Sequence, residues 1–148
     1  MVKKMVNAKT KGMMMTKNEI KILNQELCVL LSLDFDATRH GLEISSLILK
    51  CILKDDAEEM TPYKSKVIEE IQLQWRFLKF LHNDIEQIAA KLNMKKIVPD
   101  IPILIINNDL WKIGKSGASD ALYEINDKIN NFQSQVQNSI FKLQELCG

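Results

Sequence analysis

The residues able to do chemistry in this chain are few and scattered. It has two histidines, His40 and His82, and three cysteines, Cys28, Cys51 and Cys147. A di-iron or di-manganese helical site needs Glu-x-x-His pairs on facing helices. Glu86 follows His82 by four positions, and no second such pair exists. Structural zinc needs four Cys/His ligands at short spacing, and none are so spaced. The acidic groups Asp34/Asp36 and Asp55, Asp56, Glu58, Glu59 lack the glycine and terminal glutamate of a calcium loop, so they read as helix caps and solvated charge. A nucleophilic cysteine requires a nearby base, and Cys147 is the penultimate residue. No G-x-S-x-G, phosphate-loop or dinucleotide fingerprint occurs. The expectation is a protein without catalytic residues, cofactor or metal: not an enzyme.

Composition narrows the class. At 148 residues, with 46% hydrophobic and 26% charged side chains, the chain can bury a core of its own. Net charge is +1, yet residues 1–18 carry Lys3, Lys4, Lys9, Lys11 and Lys17 with no acid. Of the 20 basic residues only Arg39 and Arg76 are arginine, the side chain that grips phosphate and reads guanine bidentately. Nucleic acid is therefore an unlikely partner. Three widely spaced cysteines with no C-x-x-C fit a reducing compartment, cytoplasmic or nuclear, with Cys28 and Cys51 as small buried hydrophobes. No apolar run reaches the roughly 18–20 residues that span a bilayer.

The elements follow from punctuation and periodicity. Residues 1–15 read as a flexible basic tail. Thr16-Lys-Asn-Glu19 is a capping box opening a helix through Ile20, Leu23, Leu27, Leu30 and Leu31. Asp34-Phe35-Asp36 breaks that pattern, and a second short helix over about 37–54 carries Leu42, Ile44, Leu47, Ile48, Cys51 and Ile52. Together 16–60 form an N-terminal helical hairpin ending in a charged connector. Thr61-Pro62 restarts the chain as N-cap and first helical residue. The long helix over 61–94 bears a heptad seam of Val67, Ile71, Leu78, Leu81, Ile85, Ile88 and Leu92, with Gln74 as its polar member and Trp75, Phe77 and Phe80 beside it. Pro99 and Pro102 make 95–117 an irregular connector; its apolar stretch from Ile101 to Ile106 either pins across the bundle or serves as a β-like docking segment. Gly114 to Gly117 reads as a hinge. The helix over 118–148 repeats the 3-4 spacing at Leu122, Ile125, Ile129, Phe132, Val136, Leu143 and Leu146; Ser139 holds one seam position with Ile140 beside it, and Asn and Gln line the flanks.

The expected fold is all-α with four main helices, two short and then two long with coiled-coil seams, joined by the Pro-containing connector. The long helices either fold back as an antiparallel pair or each pair with other chains. The partner-binding residues on this reading are Ile71, Leu78, Leu81, Ile85, Ile88, Leu92, Leu122, Ile125, Ile129, Phe132, Val136, Leu143 and Leu146. The function expected is that of a non-enzymatic scaffold subunit in a hetero-oligomeric helical assembly, like the small coiled-coil subunits of kinetochore, augmin/spindle or organelle-biogenesis complexes in kind. That likeness is architectural only, resting on shared heptads and on no motif, and would set the chain beside cytoskeletal and cell-cycle subunits. Two rivals stand beside it: an adaptor attached electrostatically through the basic tail, and a small helical enzyme or ligand carrier with a pocket of Trp75, Phe77 and Trp111.

Overall fold

The computed structural model describes residues 15–53, 61–113 and 115–148. All regular structure among them is helical: α1 over Lys17–Leu53, α2 over Thr61–Lys91 and α3 over Lys115–Cys147, with 3₁₀ turns at Lys95–Ile97 and Asn108–Ile113. The capping box is realised at its Thr, whose Oγ1 accepts the amide of Glu19 at 3.1 Å. The basic tail (residues 1–14) and the charged connector (54–60) lie outside the described residues.

Among the described residues the four-helix expectation is corrected to three. Asp34-Phe35-Asp36 does not break the chain; α1 runs on for 37 residues, about 55 Å at 1.5 Å per residue. The reason is a stripe that crosses the supposed break. Ile20, Leu23, Leu27, Leu30, Asp34, Ala37, Gly41, Ile44 and Ile48 are all buried and follow one another at alternating steps of three and four. Two helices pack on that stripe, so helical geometry at 34–36 is held by tertiary contact against weak local propensity. Locally, Thr38 Oγ1 donates to the carbonyl of Asp34 and Ser45 Oγ to that of Gly41, which keeps both hydroxyls satisfied inside the helix.

Cross-helix hydrogen bonds fix the topology. Gln74 Nε2 of α2 donates to Ala37 O, and the His40 ring meets Glu70. On the other flank Gln133 Nε2 of α3 donates to Asp34 O, and Gln144 Nε2 to Cys28 Sγ. In both cases residue numbers rise on one helix as they fall on the other. α1 is antiparallel to α2 and to α3, so α2 and α3 are parallel, not the antiparallel pair that fold-back would give.

Parallel neighbours need a connection that returns along the bundle, and the proline segment provides it. α2 ends where Asn93 takes a left-handed conformation (φ 56°) and Met94 N bonds Ala89 O at 2.7 Å, a Schellman-type stop in which Asn replaces glycine. The chain then runs back as a strap. Ser139 Oγ of α3 donates to Ile97 O at 3.1 Å, the His82 ring meets Pro99 O, and Gln72 Nε2 donates to Ile106 O. His82 follows Gln72 by ten residues while Pro99 precedes Ile106, so the strap is antiparallel to α2 and delivers α3 to the end where α2 began. Asn107 Oδ1 accepts the amide of Asp109 and opens the second 3₁₀ turn, which places Leu110 in the core and Trp111 beneath the Lys64 ammonium, 5.3 Å from its ring centre. α3 starts at Lys115, so Gly117 belongs to its first turn instead of a hinge.

Candidate partner-docking surface

The seam residues read from the sequence are all inside this chain's own core. Ile71, Leu78, Leu81, Ile85, Ile88 and Leu92 of α2 are buried together with Leu122, Ile125, Ile129, Phe132, Val136, Leu143 and Leu146 of α3 and with the α1 stripe. Trp75 packs edge-on against Phe132 at 5.3 Å between ring centres, and Ile140 is fully buried beside Ser139. The apolar cover that these stripes require is supplied by α1 and the strap. A partner must therefore be sought on what the closed bundle leaves outside.

Three surfaces qualify. On the strap, burial alternates: Pro102, Leu104 and Ile106 are partly buried, whereas Ile101, Ile103 and Ile105 face outward, the last two 92% and 79% exposed. A period of two is the signature of extended chain. It follows from Val98, which is extended at φ −82° and ψ 129°, and from the two prolines, which hold their predecessors out of helix. Between α1 and α2 lies a groove of about 330 Å³ walled by Ala37, Leu73 and Phe77, with Asp36 and His40 at its edge. Between α1 and α3 runs a more polar groove of about 370 Å³, in which Thr38, Asn130, Gln133 and Gln137 sit beside Phe35 and Leu42.

Two residues of the last groove, Gln133 and Gln137, neighbour an ionisable group that burial perturbs. Asp34 is fully buried on α1, and neither carboxylate oxygen has a hydrogen-bond partner. Burial pushes its carboxyl from the ordinary 3.8 up to about 6, partly offset by the neighbouring side-chain amides of Gln133 and Gln137. Gln133, expected on a solvated flank, is itself buried and bridges Asp34 O to Thr38 Oγ1 at 2.7 Å. Asp34 and Gln133 are the residues that sequence reading missed. The available signal was the 3-4 register, which places Asp34 between Leu30 and Ala37 on a buried stripe.

Other sequence candidates fall elsewhere. His82 is buried against Phe132, with Glu86 Oε1 3.5 Å from Nδ1 and the strap at Nε2; His40 lies on the α1/α2 flank with Glu70 at 3.0 Å. Among the described residues no three His, Cys, Asp or Glu side chains gather into a metal-holding group. Cys28 is exposed, not buried, because it sits on the flank of α1 toward Gln144; burial pushes the Cys147 thiol up. Trp75, Phe77 and Trp111 occupy three different places, in the core, in the α1/α2 groove and under Lys64. No described helix is long and apolar enough to cross a membrane. Comparison with known proteins adds no relative: no family model, no curated protein and no solved structure matches this chain.

Proposed function

We propose that this chain is a non-enzymatic structural subunit of a multi-protein helical assembly, of the kind built at kinetochores, on spindles or during organelle biogenesis. On this reading it contributes a prefolded docking block rather than loose coiled-coil strands. The supporting observation is the outward row Ile101, Ile103 and Ile105 on the strap. A chain that buries both seams internally has no folding use for three isoleucines in water. Exposed at this level, they present on the order of 300 Å² of apolar surface, comparable to the largest patch on a typical monomer, which is often functional. That is well below the roughly 800 Å² per partner of a standard interface. The row is therefore one anchor of a larger contact.

The test is affinity capture from the source cell, comparing the native chain with an Ile103→Asp/Ile105→Asp variant. Both side chains are exposed, so the variant retains its helical circular dichroism and melting profile. The expected result is loss of one defined set of stoichiometric helical partners. Equal recovery of the same partners by both chains would remove the basis of the proposal.

A further inference from the structure

We propose that the groove between the strap and α3 receives an extended segment of a partner protein, which pairs with the strap as an added β-strand. The inference deepens the docking-subunit reading and rests on it, since it names the form the partner takes at the isoleucine row. It begins with main-chain bonds that are not made. The strap is anchored at its ends, where Pro99 O meets the His82 ring and Ile106 O accepts from Gln72. Between these anchors the amides and carbonyls of residues 100–105 have no hydrogen-bond partner among the described residues. The strap is an extended edge with no sheet beside it.

The order of residues keeps that edge usable. In extended chain the N–H and C=O of one residue point to the same side, and successive residues alternate. Pro102 therefore removes a donor only from the side it shares with Asp100 and Leu104. Ile101, Ile103 and Ile105 keep their donors and acceptors along the other side. Their side chains are also the exposed row, so a strand paired with them sets its own alternate side chains against the isoleucines.

The far wall of the groove suits the second edge of such a strand. The groove, of about 340 Å³, lies between Asp100, Pro102 and Ile103 of the strap and Asn131 and Gln135 of α3, with buried Phe132 at its floor. Asn131 and Gln135 are exposed one helical turn apart, and neither carboxamide has a partner among the described residues. A carboxamide offers donor and acceptor together, as the main chain of an added strand does in return. A helix bonds its own main-chain groups internally and could answer neither wall. Ile103 belongs to the row and to the groove, so one strand covers both. Charge gives it a direction. Ser139 of α3 bonds Ile97 O, so numbers fall along α3 as they rise along the strap, with Asp100 toward Gln135 and Lys128 toward the other end. An antiparallel strand that carries a carboxylate near its start and a cation near its end meets Lys128 and Asp100 in turn.

A synthetic seven-residue peptide alternating valine and threonine, with glutamate first and lysine last, is the probe. It is titrated into the full chain to about 1 mM and followed by NMR, using amide shifts and solvent exchange. At saturation, exchange should slow at least about tenfold at Ile101, Ile103 and Ile105 but not at Leu104, the alternation of one-edge pairing. N-methylation of the valines, whose amides face the strap, should abolish binding. Asn131→Ala/Gln135→Ala, at exposed positions, should weaken it without changing the circular dichroism. Equal binding of the N-methylated peptide, uniform protection over residues 101–106, or no binding overturns the proposal. Protection that grows with the concentration of the free chain means that copies pair with one another, and overturns it too. If Ile103→Asp/Ile105→Asp loses its captured partners while the peptide gives no alternation, the strand inference falls and the docking-subunit reading stands.

Discussion

Replacing Asp34 by Asn should stabilise the free bundle at neutral pH and remove one defined step from its pH profile. The carboxyl titrates near 6 in the folded chain and near 3.8 when unfolded. Because the folded value is raised, the native state holds the proton more tightly. The stability this confers is fully present below 3.8 and is lost as pH rises through about 6. A difference of roughly two units at 1.36 kcal/mol each amounts to about 3 kcal/mol, an upper figure because neighbouring glutamines can reorient. Asparagine keeps the shape and has no charge to desolvate. Urea unfolding followed by far-ultraviolet circular dichroism from pH 4 to 8 gives ΔG for both chains. All other ionisable groups are common to both chains and cancel in the difference. That difference should be small at pH 4, grow between pH 4 and 6 to about 2–3 kcal/mol in favour of Asp34→Asn, and stay flat above. A difference independent of pH, or a variant less stable at pH 7, would refute the assignment of Asp34 as a desolvated carboxylate without donors.

Two further substitutions test the packing. A Cβ on Gly41 would lie 2.8 Å from Gln74 Nε2, so Gly41→Ala must displace an amide buried between α1 and α2 and break its bond to Ala37 O. We expect a net loss of about 1 kcal/mol in the native background, and a gain of about the same size when Gln74 is already alanine, where only the better helix propensity remains. Leu78→Ala, at a fully buried α2 position, should lower stability by about 2–5 kcal/mol in guanidinium unfolding with an unchanged denaturant slope. A loss below about 1 kcal/mol there would mean that the α2 seam is not closed within the chain.

Much of the fold was legible because the signals were local. Thr16 and Thr61-Pro62 announce helix starts through cap chemistry, and Pro99 and Pro102 exclude helix between the long elements. The seams at Ile71–Leu92 and Leu122–Leu146 announce stripes that need cover. Asp34 was misread because its local meaning, a cap or a break, is opposite to its meaning in register, a seam position between Leu30 and Ala37. Gln133 was misread for the same reason: a carboxamide looks solvated until a neighbouring helix brings a hydroxyl and a carbonyl to it. The docking candidates were only half visible, since the apolar stretch Ile101–Ile106 was evident but the face that each side chain takes was not.

The sequence by itself determined an all-helical chain, the positions of its stripes and the segment that cannot be helix. Periodicity encodes which side of an element must be covered, and caps encode where it starts. The tertiary structure decided what does the covering. It carried α1 unbroken through Asp34, closed both seams within one chain, and sent the strap back along α2 so that α3 runs parallel to it. It also left Ile103, Ile105 and Leu42 in water and a carboxylate without a donor. The physical reason is that hydrophobic burial has no direction and does not identify the covering surface. Only the three-dimensional arrangement of all three helices and the strap settles which apolar rows are spent inside and which remain for another molecule.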